Sequence, residues 1–147
     1  MLVSHMLPRA RERLATIDAK APVRAAAALM AKPHVELVVV CDASGRMVGV
    51  LAKTDIVGQI SHCGGNSCMT GVDAIMTREV VACREGDWVA DAWARMKEHS
   101  LPRLPLLDQE DRPIGILYAR DALQRMLAEA EDQEALLRDY VMGIGYH

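Results

Sequence analysis

The sequence predicts an α/β fold of the mixed α+β kind, built from two copies of a β-α-β-β-α unit. First, the chain repeats itself at a shift of 66 residues, which aligns residues 49–55 (GVLAKTD) with residues 115–121 (GILYARD). Second, each copy carries an apolar helical stripe between short apolar runs of strand length. Third, 51% of the 147 residues are apolar and 25% are charged, which is sufficient for a substantial core.

The repeat extends well beyond this short motif. No gap is needed between about residues 14 and 60, and apolar, turn and charged positions recur although identical residues are sparse. The matched pairs are Val23 with Val89, Ala26 with Ala92, Met30 with Met96, Asp42 with Asp108, and Arg46 with Arg112. A pattern kept at one fixed offset over most of a domain indicates a duplicated unit.

In the first unit, Pro22 suits the first turn of a helix whose apolar residues recur at helical spacing. That stripe consists of Val23, Ala26, Ala27 and Met30. Apolar runs of strand length and a turn bracket the helix, and we predict strands over 14–17, 35–41 and 47–51 and a second helix over about 53–60.

The second unit repeats the same order. We predict strands over 80–83, 104–107 and 114–117, a helix over about 88–98, and a long helix from about Arg120. Its inward stripe is Val89, Ala92, Trp93 and Met96, which we interpret as core packing. The expected organisation is an N-terminal segment (1–12), repeat 1 (13–62), a Gly/Cys linker (63–78), repeat 2 (79–128), and a C-terminal helix with an apolar tail (129–147).

Charge and hydropathy exclude several functional classes. The net charge is −3 and there is no basic run, which argues against nucleic-acid or anionic-membrane binding. No apolar stretch is long enough to span a bilayer, and the N-terminus lacks the pattern of a secretory signal. The four cysteines are too few and too unevenly placed for a disulfide scaffold, so we predict a cytoplasmic protein.

The duplicated unit, closing each time with Gly-h-h-x-x-x-Asp-h (h, apolar), resembles a pair of CBS (cystathionine β-synthase-like) domains, a Bateman module. The resemblance covers about residues 10–130. It implies two small sheets related by a pseudo-twofold axis and flanked by helices. It also implies two clefts between the repeats that take adenosine-containing ligands such as AMP, ATP, S-adenosylmethionine or NAD. Such modules commonly form homodimers and regulate an attached or separate protein partner.

The closing motif has chemistry suited to such a ligand. Gly49 and Gly115 let the backbone approach a ligand closely, and each is followed by a helix N-terminus. Asp55 and Asp121, in the first helical turns, are the candidate acceptors for ribose hydroxyls. The residues before them, Thr54 and Arg120, are candidate phosphate or ribose contacts, and adenine would lie against residues 38–40 or 104–106. Without a ligand, either Asp would still stabilise its helix by about 0.3–1 kcal/mol.

One position departs from the nucleotide-binding pattern. Members that bind nucleotides usually have Ser or Thr three residues after the Gly, where this chain has Ala52 and Tyr118. Weakened phosphate binding, a different ligand, or one inactive cleft all remain open. Because Arg120 precedes Asp121 whereas neutral Thr54 precedes Asp55, we predict that the Asp121 cleft tolerates phosphate better.

The linker and the C-terminus carry further features. His62, Cys63 and Cys68 in the Gly-rich loop suit a metal site, a thiol switch or a simple connector, and we favour the connector because no second ligand pair is present. The tail turns acidic and then apolar, which favours docking on the protein itself or on a second copy over binding a separate partner.

The resemblance and the motif residues together imply a regulatory sensor of adenosine-containing ligands that requires no cofactor. The alternative is a dimerisation or protein-interaction adaptor with vestigial clefts, which Ala52 and Tyr118 favour. We do not expect an enzyme, because no nucleophile–base pair, phosphate-binding glycine loop or clustered carboxylates are present. A homodimer is expected because the two helical layers carry more apolar surface than one chain readily buries.

Overall fold

The computed structural model describes residues 1–61 and 69–145. Two three-stranded sheets form, one from each repeat, and each has its second strand in the centre. The strands are β1 (Thr16–Asp18), β2 (Leu37–Cys41), β3 (Met47–Ala52), β4 (Cys83–Arg84), β5 (Arg103–Leu107) and β6 (Pro113–Tyr118). The helices are α1 (Leu7–Glu12), α2 (Val23–Met30), α3 (Lys53–Ser61), α4 (Val89–Glu98) and α5 (Ala119–Gly145).

The two sheets have the same register. In each, the first strand pairs parallel with the central strand and the third pairs antiparallel, so Ile17 lies beside Val40 as Cys83 lies beside Leu106. Both central strands shift register at the same place, after Val40 and after Leu106. The 66-residue repeat of the sequence is therefore a repeat of backbone geometry.

The predicted helical stripes form the core. Val23, Ala26 and Met30 on α2 are buried, as are their counterparts on α4, Val89, Ala92 and Met96. Pro22 is the N-cap of α2, one position before the helix begins. Between the sheets, Val39 and Ile116 meet in a smaller buried cluster, and this cluster joins the two repeats.

The first strand of each repeat is shorter than predicted. The apolar pattern indicated strands over 14–17 and 80–83, but the strands are Thr16–Asp18 and Cys83–Arg84. The Arg84 N–H donates to the Asp87 carboxylate at 2.9 Å, which turns the chain away from the sheet. Val80 and Val81 face a cavity between the repeats, so their apolar character reflects this lining and not strand pairing.

The N-terminal segment is ordered structure and forms part of the repeat. A 3-10 turn (Val3–Met6) leads into α1, which packs on β6 of repeat 2. At the equivalent place in repeat 1, a second 3-10 turn (Val72–Ala74) precedes Thr77, which pairs with Val50 of β3. Each lead-in segment thus covers the sheet of the other repeat, which interlocks the two units.

These close approaches explain the two motif glycines. A Cβ on Gly49 would lie 2.6 Å from Met76 Sδ, and a Cβ on Gly115 would lie 2.8 Å from the Cβ of Ala10. Both contacts are tighter than real Cβ atoms allow, so glycine is required for packing at both positions. The observed neighbours of these glycines are protein atoms of the lead-in segments.

Candidate functional site: two clefts between the repeats

The first cleft lies where the C-terminal end of β3 and the start of α3 face β5 of the other repeat. It holds a cavity of about 150 Å³ with mainly apolar walls. The lining residues are Leu37, Val50, Ala52, Asp55, Thr77, Glu79, Val80, Val81, Leu101, Arg103 and Pro105. Such a space, apolar with a few polar groups, is typical of small-molecule sites, although it is smaller than most.

Asp55 is placed in the first cleft by the first turn of α3. Its Oδ2 accepts a hydrogen bond of 2.8 Å from the Ala52 N–H, which caps the helix. Within residues 1–61 and 69–145, Asp55 has no other hydrogen bond and no ion pair, so Oδ1 keeps its acceptor capacity. Thr54 is exposed beside it. The cap therefore comes from Asp55 itself, and the small Ala52 leaves the cavity open.

Acidic side chains outnumber basic ones among the described residues that line the first cleft. Glu79 is exposed at the cavity wall and has no cationic partner in the described part of the chain. Arg103, the one basic lining residue, donates from Nη2 to Glu36 at 3.2 Å, and Lys53 Nζ lies 3.9 Å from the same carboxylate. Arg103 Nε is buried and has no acceptor among the described residues. Two carboxylates therefore line the cavity without a cation paired to either.

The second cleft is the pseudo-symmetric counterpart and is filled by side chains. The shift of 66 residues places Tyr118 where the first cleft has Ala52, and Arg13 where it has Glu79. Tyr118 is only 2% exposed, and its hydroxyl donates to the carbonyl of His34 at 3.1 Å. The Arg13 guanidinium carbon lies 4.2 Å from the centre of the Tyr118 ring, which is cation–π geometry.

Arg13 also forms a bidentate ion pair with the carboxylate of Asp121. Its Nε donates to Oδ2 and its Nη2 donates to Oδ1, both at 3.1 Å. The two side chains are 8% and 7% exposed, so the bidentate pair is shielded from water. Hydrogen bonding to Asp121 raises the pKa of Arg13 despite the opposing effect of burial, so the guanidinium remains charged. Arg13 thus takes one acceptor site on each oxygen, and Asp121 also lines a cavity of about 420 Å³ between the N-terminal segment and α5.

The Arg120 side chain is exposed, with its guanidinium carbon 5.4 Å from the Tyr118 ring centre. From the sequence, Glu79 was not identified as a residue of the first cleft, nor Arg13 as a residue of the second, although the repeat pattern relates the two positions. Both precede the first strand of their repeat, and the 66-residue shift aligns them directly. The predicted aligned region begins at about residue 14, so it excludes Arg13 and its counterpart Glu79.

The cysteine-rich linker motif, with His62, Cys63 and Cys68, lies outside the described residues. Of the other cysteines, burial raises the pKa of Cys83 to about 12 and also raises that of Cys41, so both thiols stay protonated near neutral pH. Across residues 1–61 and 69–145, no three His, Cys, Asp or Glu side chains are grouped to hold a metal ion. The same residues include no helix long and apolar enough to cross a membrane.

Comparison with known proteins bears on this architecture. The CBS domain family model matches residues 3–62 and 72–128. A homoserine O-acetyltransferase of Methanosphaera stadtmanae is 29% identical over 120 residues, which are 78% of this chain. The chain spans only 24% of that relative, so the similarity is confined to one part of it.

Two solved structures share the fold. The CBS domain pair of protein MJ0100, in complex with 5′-methylthioadenosine and S-adenosyl-L-methionine, has a TM-score of 0.71 at 22% identity and covers 88% of this chain and 98% of its own. CBSX2 in complex with AMP has a TM-score of 0.70 at 22% identity and covers 82% of this chain and 92% of its own. With two family matches and an interlocked pair of β-α-β-β-α units, the chain belongs to the CBS domain family.

Proposed function

We propose that this chain is a regulatory module that binds one adenosine-containing ligand, and that the ligand occupies the first cleft. The observation that carries the proposal is the contrast between the clefts: the first is open beside Asp55, and the second is packed with Arg13 and Tyr118. Proteins of the same fold are bound to 5′-methylthioadenosine, S-adenosyl-L-methionine and AMP, which supports an adenosine compound as the ligand class.

The residues of the first cleft fit the parts of an adenosine. Oδ1 of Asp55 is available to accept from a ribose hydroxyl while Oδ2 holds the helix cap. Val50, Val81 and Pro105 offer apolar walls for a base. Thr54 stands at the N-terminal turn of α3, where a donor hydroxyl could contact the ligand beyond the ribose. Gly49 serves this site indirectly, because it seats Thr77 in the cavity wall.

In the second cleft the corresponding set is Asp121, Arg120 and Gly115. We propose that it binds no ligand while Arg13 is paired to Asp121, because Arg13 and Tyr118 then fill the space beside the carboxylate. The earlier prediction that this cleft better tolerates phosphate applies only to a state in which Arg13 has left. Arg120 lies at the exposed rim of the cleft, so it would contribute only to that state.

The wider role follows from the module type. We propose that the chain is not itself an enzyme, that it acts in the cytoplasm, and that it changes the activity of a protein partner when ligand binds. The similarity to one part of a homoserine O-acetyltransferase supports a CBS pair serving as a portion of a larger system. No cofactor is needed for such a role, since the adenosine compound is the signal.

A homodimer is part of the proposal. Val57 on α3 and Leu123 on α5 occupy equivalent positions and are 65% and 40% exposed, and Leu127 extends the second face. Because both repeats present apolar residues at the same place, a second copy could cover both faces by one twofold operation. Light scattering at micromolar concentration should give twice the mass of one chain, and a monomeric mass would contradict the dimer.

The ligand site is tested by calorimetric titration of adenosine compounds into wild type and an Asp55→Ala variant. Loss of the ribose acceptor should reduce affinity roughly ten- to a hundredfold, corresponding to about 1–3 kcal/mol. Asp91→Ala is the control, because Asp91 is likewise an acid in a first helical turn but is exposed and lies on α4, away from the first-cleft lining. Unchanged affinity in Asp55→Ala would remove Asp55 from the site.

The second candidate function, an interaction adaptor with vestigial clefts, is favoured by the packed second cleft alone. It predicts that wild type binds no adenosine compound at millimolar concentration. Native mass spectrometry of freshly purified protein separates the two, since a retained adenosine compound would exclude the adaptor.

A further inference from the structure

We propose that the first cleft selects an uncharged or positively charged adenosyl compound, such as a sulfonium nucleoside, over nucleotides that carry phosphate. This inference rests on the proposed function and narrows it to a ligand class. It follows from the charges in the cavity wall and from the way the second cleft is filled.

The cavity wall is electrostatically unfavourable for phosphate. Asp55 and Glu79 both line it, and neither is paired with a cation in the described structure. Arg103 lines the cavity but donates from Nη2 to Glu36, which Lys53 also approaches, so only its Nε remains without an acceptor among the described residues. A phosphate placed beside two unpaired carboxylates is repelled, and this repulsion is stronger in a partly enclosed apolar site than in water.

Two features of the first cleft favour an anion, the N-terminus of α3 and the Arg103 guanidinium, and each is already used in part. Asp55 lies in the first turn and accepts from the Ala52 N–H. A carboxylate at that place compensates the positive end of the helix dipole. Thr54 could add a hydroxyl contact, but it brings no positive charge.

The second cleft shows that the backbone geometry common to both clefts accommodates a positive charge next to the aspartate. There, a guanidinium lies between the Asp121 carboxylate and the Tyr118 ring. The first cleft has the equivalent carboxylate, Asp55, and a second acid, Glu79, at the position of Arg13. It therefore has no cation paired to Asp55 in the described structure, unlike its counterpart, and a ligand with positive charge beyond the ribose would supply one.

The test compares 5′-methylthioadenosine, S-adenosylmethionine, AMP and ATP by calorimetric titration at low and high salt. The two sulfur-containing compounds should bind at least about tenfold more tightly than AMP, and ATP should bind most weakly. Added salt should weaken S-adenosylmethionine binding more than that of uncharged 5′-methylthioadenosine, because screening acts on the charged ligand.

A variant that removes the negative charge of Glu79 tests whether this charge causes the ligand preference. Glu79→Gln keeps the side-chain size, and it should narrow the preference for S-adenosylmethionine over AMP about two- to fivefold, since Glu79 is solvent-exposed. Glu85→Gln changes an exposed acid outside the first-cleft lining, and it should leave the ratio of the two affinities unchanged.

If AMP or ATP binds as tightly as the sulfur compounds, the selectivity is overturned and the module still binds adenosine compounds. If Glu79→Gln does not change the ratio, the charge argument is overturned, and if nothing binds, the proposed function itself fails.

Discussion

The first and second clefts have the same backbone frame and differ decisively at two positions. Where the first has Ala52 and Glu79, the second has Tyr118 and Arg13, and those two side chains fill it. The strand registers, the shifts after Val40 and Leu106, and the tight glycine contacts are the same in both repeats. A duplicated fold can thus preserve its backbone geometry while side chains fill one of its two clefts.

The difference also explains how the buried Asp121 is tolerated. A carboxylate removed from water is costly unless it is paired and hydrogen-bonded, and Arg13 provides both. Asp55 needs no such partner because it remains partly exposed and accepts a backbone N–H. The same residue type therefore serves as a structural ion-pair member in one repeat and as an available acceptor in the other.

The largest expected effect comes from breaking the ion pair. Arg13→Ala leaves the buried Asp121 with only the exposed Arg9, whose Nε lies 3.8 Å from Oδ1, as a cationic neighbour, which should lower the free energy of unfolding by up to about 3–5 kcal/mol. Urea denaturation measures this loss. Glu79→Ala, the equivalent change in the first cleft, should alter stability by no more than about 0.5 kcal/mol, because Glu79 is exposed.

Adding Asp121→Asn to the Arg13→Ala background should recover part of the lost stability, since it removes the unpaired charge. Equal stability changes for Arg13→Ala and Glu79→Ala would show that the two clefts are energetically alike. That outcome would contradict the assignment of Arg13 as the internal partner of Asp121.

The next effect tests whether two side chains are enough to close a cleft. The double variant Ala52→Tyr and Glu79→Arg places the residues of the second cleft in the first, where the new Arg would face Asp55. Ligand affinity should fall at least about a hundredfold, because both the cavity and the acceptor are then occupied. Calorimetric titration measures the loss.

Glu131→Arg, an acid-to-Arg change on the exposed surface of α5, is the control for the added charge and should bind as wild type does. Wild-type affinity in the double variant would mean that the ligand does not use the space beside Ala52.

The sequence predicted the repeated architecture because apolar periodicity and turn residues are local signals. Val23, Ala26 and Met30 mark a buried helical face by spacing alone, and the structure confirms it. The repeat was also sufficient to identify the family, which the family matches confirm. The placement of Asp55 at an apolar cavity remains consistent with the predicted ligand role, which only binding measurements can test.

What the sequence did not predict depends on contacts between distant residues. Arg13 and Asp121 are 108 residues apart, and no local pattern relates a residue after a short helix to a helix start in the other repeat. The ordered α1 was missed for a similar reason, since it is only six residues long and its stability comes from packing on β6. Val80 and Val81 were assigned to a strand because cavity walls and strands are both apolar.

The smallest expected effect on stability concerns the turns after the two central strands, where Asp42 and Asp108 accept equivalent backbone hydrogen bonds. Asp42 accepts from the N–H groups of Ser44 and Arg46, and Asp108 accepts from those of Glu110 and Arg112. The Ser44 hydroxyl, which also donates to Asp42, is the main cause that lowers the pKa of Asp42. The bond from the Arg112 N–H is the main cause for Asp108.

Because both pKa values are lower in the folded state, this stabilisation is present above the unfolded pKa of about 4 and is lost as the pH falls through the folded values. Asp42→Asn and Asp108→Asn should therefore each lower Tm slightly at pH 7, and the loss should be larger for Asp42, which also accepts from the Ser44 hydroxyl. Their difference from wild type should shrink on acidification below about pH 4, since the protonated carboxyl then resembles the amide. Thermal melts over this range measure both. Equal losses would show that the Ser44 hydroxyl adds nothing to the stability of the first turn.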